Sequence, residues 1–455
     1  MEDETEKITR KIFSFSWLSK NFSVICGRAF FLLRRTDAET LGRGAVRAPF
    51  SAPKQTAAFM VAVLFFIFVM LTHSSMKRIL LLSALLLLSA IALAQPPQRP
   101  APAAQPEVFT GVVINPDHSV TFRYKNPKAV KVEVSGEFMD GSAELKEADG
   151  VWTYTTGPLA PELYFYSLTV DGAPILDLSW SVVKDIPRWV NYFIISKEKG
   201  DRGDVYSVND VPHGTVSSRW YDSATFRTRR RVNIYTPPGY ENNPKKKYPV
   251  FYLLHGNACD ENSWLDLGRA AQVLDNLIAA GKAEPMILVM TNGNPAQQAA
   301  PAYFGDTYTN GNTLPGIANF TDSFPEIIAF IDGNYRTIAR KNGRAIAGFS
   351  MGGGHAFTIS KDYPNTFDYV GLFSAAGSNI SDPAQKQKLL DMQKNGYKLY
   401  YIGCGTEDFL HRSVLNYNKQ LDEIGFKYFY RETGGGHTWA PWRIYLSEMV
   451  QMLFK

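Results

Sequence analysis

Ala345-Ile346-Ala347-Gly348-Phe349-Ser350-Met351-Gly352-Gly353-Gly354 decides how this chain folds. An apolar run short enough for a buried strand ends in Gly-x-Ser-x-Gly and passes directly into a helical pattern over 351–362. The five letters alone are weak evidence, and an ordinary strand-to-helix turn is the competing reading. The context favours a nucleophile position. A sharp turn there exposes a serine hydroxyl, the glycines let strand and helix approach closely, and the helix N-terminus presents backbone N–H groups to an anion.

Working outward, RRVNIYTP, VFYLLHG, MILVMTN, RAIAGFS, YVGLFSAA, KLYYIGCG and KYFYRET read as strands, several of them nearly continuous in apolar residues. Such runs suit a sheet covered on both faces. Between them, 263–282, 321–339, 351–362, 384–394 and 411–424 have helix length and period. This βαβ alternation predicts an α/β domain over 215–455, a doubly wound sheet of the α/β-hydrolase kind. Upstream, a polar linker is expected at 200–214. Residues 107–199 change character, with SVTFRY, AVKVEVSG, GVWTYTT, LYFYSLTVDG and VNYFIIS separated by Asn-Pro, Asp-Gly and Gly-Pro signals. Short strands at this spacing predict a small all-β sandwich. Residues 95–106, QPPQRPAPAAQP, read as an extended spacer. Met76-Lys77-Arg78, the following apolar run and Ala92-Leu93-Ala94 make 76–94 a signal peptide, which predicts export to the periplasm or medium. The 75 residues before it are expected to be upstream sequence, with Met76 the physiological start; a membrane anchor is the competing reading. No stable anchor is expected in the mature chain.

The chain has 455 residues, of which 45% are hydrophobic and 13% aromatic, enough for two folded units. Its formal charge of +5 is uneven. Residues 79–455 hold 36 basic and 37 acidic side chains, so nothing argues for nucleic acid as partner. The three cysteines, Cys26, Cys259 and Cys404, form no framework, and no cluster suggests a metal. Cys259 and Cys404 follow strands expected to be three positions apart in the sheet, about 14 Å, too far to bridge.

A serine hydroxyl needs a base, and the base needs an orienting acid. On this fold they follow in the order Ser, acid, His. Of the histidines beyond Ser350, His355 lies on the same helix and should point away, and His411 opens a later helix. His437, in the glycine-rich loop Gly434-Gly435-Gly436-His437-Thr438-Trp439, is the expected general base. Glu407 and Asp408 both leave the strand KLYYIGCG and either can serve as the acid. The backbone N–H of Met351 and that of Asn257, in the loop after VFYLLHG, are the expected oxyanion donors. His255 should hold that loop by hydrogen bonding. Trp439 and Trp442 flank the histidine and either border a substrate subsite or pack. Trp152 or Tyr154 in the sandwich could stack on a sugar ring, although core packing is the simpler reading.

Tyr235-Thr236-Pro237-Pro238-Gly239-Tyr240, Leu253-Leu254-His255-Gly256, Glu261-Asn262-Ser263-Trp264, Gly348 to Gly354, Gly403 to Asp408 and Gly435-Gly436-His437-Thr438-Trp439 together resemble carbohydrate esterase family 1, the esterase D-like group of feruloyl and acetylxylan esterases. The resemblance implies a Ser350–Asp408–His437 triad, which selects Asp408 over Glu407, with Asn257 and Met351 as oxyanion donors and no cofactor. Val120 to Arg123, Ala129 to Val132, Gly150 to Trp152 and Leu163 to Tyr166 loosely resemble the immunoglobulin-like domains related to carbohydrate-binding module family 48. Together they imply a secreted feruloyl esterase acting on plant cell-wall arabinoxylan. Acetylxylan esterase, enterochelin-type siderophore esterase and a mycolyltransferase-like enzyme are the alternatives on this scaffold; a noncatalytic polysaccharide-binding protein is the alternative of another class. The sequence does not fix the oligomeric state.

Overall fold

The computed structural model describes residues 109–185, 188–301, 318–375, 380 and 382–455. The segments 1–75, 76–94 and 95–106, with their expected start site, signal peptide and spacer, lie outside these residues. None of the described helices is long and apolar enough to cross a membrane.

The first part is built from β1 (Val112–Ile114), β2 (Val120–Lys125), β3 (Val132–Gly136), β4 (Ser142–Glu144), β5 (Lys146–Ala148), β6 (Val151–Thr155), β7 (Glu162–Val170), β8 (Ala173–Ile175), β9 (Val182–Asp185) and β10 (Arg188–Ile195). One sheet has the order β1-β2-β6-β5, and the other β4-β3-β7-β10-β9 with β8 beside β7. The Asp-Gly signals become tight turns, with positive φ at Asp149 and Gly150 and at Asp171 and Gly172, as a two-residue hairpin loop requires. The two sheets enclose Val120, Phe122, Val132, Val134, Trp152, Tyr166, Leu168 and Phe193. Trp152 belongs to that core, with its Nε1 donating to Asn126 O at 3.0 Å. It is therefore not available as a sugar platform.

Side chains alternate along β7 and β10, and both of their faces are used. Tyr166, Leu168, Phe193 and Ile195 point into the sandwich core. Leu163, Phe165, Val190, Tyr192 and Ile194 join a core of the second part. The stretch 200–214 is correspondingly more than a linker. It contains α1 (Arg202–Tyr206), capped by the Asp201 carboxylate, with Tyr206 fully buried. A polar surround of Asp and Asn hides this anchor in the sequence.

The second part is an eight-stranded sheet of β11 (Thr215–Ser223), β12 (Thr228–Thr236), β13 (Val250–Leu254), β14 (Ile287–Thr291), β15 (Arg344–Phe349), β16 (Tyr369–Phe373), β17 (Leu399–Gly405) and β18 (Phe429–Thr433), in the order β11-β12-β14-β13-β15-β16-β17-β18. β11, β12 and β14 pair antiparallel, and the pairings from β14 through β18 are parallel. On β13, Val250, Tyr252 and Leu254 face one core while Phe251 and Leu253 face the other. A strand covered on both sides has no polar alternation to show. α4 (Phe324–Asn334), α5 (Met351–Asp362), α6 (Pro383–Lys394) and α7 (His411–Glu423) cover the first face. α2 (Ser263–Asp266), α3 (Ala270–Ala279), α8 (Trp439–Val450) and the sandwich cover the second.

Three expectations need adjustment. The helix expected over 263–282 is two, broken at Arg269 with φ +54°. β11 was not anticipated because it is an edge strand with only Tyr221 and Ser223 buried, which leaves no clear alternation. α8 was missed because apolar and buried residues surround most of its circumference. Cys259 and Cys404 are both free, as their separation by β13-β15-β16-β17 requires.

Candidate active site

Ser350 sits between β15 and α5 with φ +53° and ψ −121°, a backbone geometry that L-residues rarely adopt. It is held there on both sides: its N–H donates to Phe373 O at 2.9 Å and its carbonyl accepts from Gly354 N–H at 3.0 Å. The motif glycines are a packing necessity. A Cβ on Gly348 would lie 2.5 Å from Gly352 C, and one on Gly352 would lie 2.5 Å from His255 O. Met351 opens α5, so its N–H is among the first four without an intrahelical acceptor.

His437 stands in the loop between β18 and α8, its Nδ1 2.9 and 3.0 Å from the two carboxylate oxygens of Asp408. Asp408 is buried, and Leu410 N–H donates to its Oδ1 at 2.8 Å. Burial alone would raise its pKa, but hydrogen bonds from His437, Ser374 and the Leu410 N–H hold it below the ordinary carboxylate value. Glu407 turns the other way. Its carboxylate accepts from Gly435 N–H and from Thr406 Oγ1, pinning the glycines that lead to His437.

The other histidines are occupied elsewhere. His255 Nε2 accepts from Gly293 N–H at 2.8 Å and its Nδ1 lies 2.7 Å from Gly256 O, so it staples the loop that carries Asn257. Burial pushes its pKa down, consistent with a ring nitrogen that must stay unprotonated to accept. His355 is buried against Phe320, its pKa lowered to about 3 by burial and by nearby His255. His411 Nε2 meets Glu432 at 2.7 Å.

Ser350, His437, Asn257, Trp439 and Trp442 share one cleft of about 700 Å³. The two tryptophans both line it and pack beneath it. Trp442 stacks on Phe349 with ring centres 4.0 Å apart, donates Nε1 to Ser374 Oγ at 2.9 Å and meets the His437 ring edge-on at 5.0 Å. Trp439 crosses Trp264 and Phe349 at 5.4 and 4.8 Å. Phe409, largely exposed, lies 4.5 Å from the His437 ring at the mouth.

The opposite wall belongs to the sandwich. Glu137, Phe165, Asp185, Arg188 and Val190 line the same cleft. Burial raises the carboxyl pKa of Glu137, although Phe165 N–H donates to it at 3.1 Å. Burial likewise raises Asp185, against the opposing pull of Arg188 and a hydrogen bond from Trp439. These wall residues were missed: a polar residue on a short strand carries no signal of which surface it will face. Among the described residues no group of three or more His, Cys, Asp and Glu could hold a metal ion.

A serine at a strained strand-to-helix turn, beside a histidine–carboxylate pair at the carboxyl edge of a mostly parallel sheet, is the equipment of α/β serine hydrolases. Comparison with known proteins agrees. The model of the family Esterase, described as "Putative esterase", matches residues 223–453, and the chain belongs to that family. An endo-1,4-beta-xylanase/feruloyl esterase of Xylanibacter ruminicola is 31% identical over 360 residues, covering 75% of this chain and 46% of that protein, so the chain spans about half of its relative's length. Among solved structures, the enterobactin esterase of Shigella flexneri aligns with 74% of this chain and 93% of its own, at 19% identity and a TM-score of 0.53, a likeness of fold that extends beyond the esterase match. A CE1 ferulic acid esterase of Anaeromyces mucronatus aligns with 55% of this chain and 93% of its own, at 25% identity and a TM-score of 0.45.

Proposed function

We propose that the protein is an exported serine esterase that releases ferulate from feruloylated arabinoxylan. The observation that carries the chemistry is the meeting of Ser350 and the Asp408-bound His437 in one cleft beside Asn257. The substrate is supported by the resemblance of the motifs to carbohydrate esterase family 1 and by the relative from Xylanibacter ruminicola.

In this mechanism His437 takes the Ser350 proton as Oγ attacks the ester carbonyl. Asp408 fixes the imidazole so that Nε2 faces the serine and stabilises the imidazolium that forms. The N–H groups of Met351 and Asn257 receive the developing oxyanion, each donor of this type contributing about 2.7–4 kcal/mol to the lowering of the barrier. Collapse expels the sugar hydroxyl with the proton returned from His437. Water then attacks the acyl-enzyme by the same route and the acid leaves. Asp185 and Glu137, across the cleft, are offered as acceptors for substrate hydroxyls, and Phe165 and Phe409 as apolar borders. The sandwich is read as an immunoglobulin-like domain related to carbohydrate-binding modules, used here as a cleft wall. In this reading the sandwich domain spans 107–199 and the esterase domain 215–455, and 200–214 anchors one to the other through the buried Tyr206.

The test is acid release by the purified protein and by Ser350→Ala from feruloylated arabinoxylan oligosaccharide and acetylated xylan in parallel. Ferulate release that disappears in the variant is expected. Acetate release alone would move the enzyme to acetylxylan, and no release from either would overturn the reading.

A further inference from the structure

Arg443 lies on α8, one turn beyond Trp439 and next to Trp442, yet it does not face the cleft. It is fully buried and reaches two separate pieces of chain. Its Nη2 donates to Glu162 Oε1 at 3.2 Å and to Leu163 O at 2.8 Å, both at the start of β7. Its Nε reaches the same carboxylate at 3.3 Å, and its Nη1 donates to Leu267 O at 3.0 Å, just past α2. The guanidinium also lies 5.8 Å from the centre of the Phe165 ring, which lines the cleft. Glu162 is itself buried, accepts from Leu163 N–H at 2.9 Å, and is further approached by Arg202 at 3.5 Å.

We infer that the Glu162–Arg443 pair is the joint that sets the sandwich wall against the catalytic floor, and that both are positioning residues for large ester substrates. A buried ion pair is weak evidence for stability, since two well-packed apolar residues would often serve as well. Its geometric specificity is what apolar contact lacks. The planar guanidinium fork, carried on the helix following His437, satisfies acceptors on β7 and on the segment following the Asn257 loop, and so references all three borders of the cleft to one side chain. β7 then carries Phe165 into the cleft three residues beyond Glu162, and Phe165 N–H holds the Glu137 carboxylate. A shift at the joint is transmitted to the wall while Ser350, held by β15, β16 and α5, stays in place. A substrate small enough to touch only the floor should not sense it.

The inference rests on the esterase reading, and its test separates the two. kcat and KM are measured on the full chain for wild type, Glu162→Gln and Arg443→Lys, with 4-nitrophenyl acetate and a feruloylated arabinoxylan oligosaccharide. The expected result is a KM for the oligosaccharide raised about tenfold or more, within the hundredfold that a displacement of about 1 Å can cost, with kcat/KM for the acetate ester changed by less than about twofold. Parallel loss on both esters, or no change on either, would overturn the joint. Hydrolysis of neither ester by wild type would instead defeat the esterase reading. Hydrogen exchange reads the joint independently of activity: faster exchange at 135–137 and 165–167 with the 346–354 elbow unchanged supports it, whereas uniform or unaltered exchange contradicts it. Should Arg443→Lys fail to fold, the isosteric Glu162→Gln retains both measurements.

Discussion

On the floor of the cleft, Ser350 is fixed by its own backbone, in a strained positive-φ conformation that Phe373 and Gly354 hold and that the glycines at 348 and 352 make room for. On the opposite wall, Phe165, Asp185 and Arg188 sit on strands, and Glu137 on the turn after β3, that any similar sandwich could provide, and they reach the cleft because β7 and β10 bury their outer face against α8 and its neighbours. The floor is a local device, encoded within ten residues. The wall is a tertiary device, encoded in how two cores share a boundary. Chemistry should therefore depend on the floor and recognition on the wall.

The largest effect should come from the floor. Ser350→Ala is expected to lower kcat by about 10⁶, as removal of a nucleophile acting within a triad does, measured with 4-nitrophenyl acetate. Next comes the orienting acid. Asp408→Asn should lower kcat by about 10⁴ through loss of the correct imidazole tautomer, whereas Glu407→Gln, which disturbs only the loop clamp, should cost less than about tenfold. Equal losses for the two would blur the distinction their hydrogen bonds draw.

Wall substitutions should act on binding. Asp185→Ala and Glu137→Ala are expected to raise KM for the feruloylated oligosaccharide by roughly five- to thirtyfold, the range for a lost hydrogen bond in a binding site, with little change in kcat for the small ester. A fall in kcat for both substrates would mean that the wall takes part in chemistry.

The smallest effect concerns pH and stability. Asp408 is held below its unfolded value of about 3.9 by bonds that outweigh its burial. Its stabilising contribution is therefore present above that value and disappears as pH falls through the folded pKa. Urea unfolding at a series of pH values should show wild type and Asp408→Asn converging below about pH 4. A difference that stayed constant with pH would assign the contribution to packing alone.

The same contrast explains what could be read from the sequence. The Ser350 elbow, the order of strands after it and the loop of His437 were legible because each depends on a short motif with a steric reason. The choice between Glu407 and Asp408 was not decided by residue type or spacing. Adjacent side chains leave a strand end in different directions, and only the folded loop brings Asp408 to His437 while turning Glu407 to Gly435. Trp439 and Trp442 were ambiguous for a physical reason: they line the cleft and fill the core beneath it. Tyr206 and Arg443 gave no signal, because a buried anchor in a polar stretch and a buried cation on an apolar helix both run against composition. β11 and α8 were hidden by weak alternation and by burial around most of the helix.

The central claim is that Ser350 is the nucleophile activated by His437, and reaction with a fluorophosphonate probe tests it most directly. Mass spectrometry of the labelled protein should find one adduct per chain, on Ser350, with labelling slowed severely in His437→Ala. An adduct on another residue, or labelling of Ser350 at an unchanged rate in His437→Ala, would contradict the account.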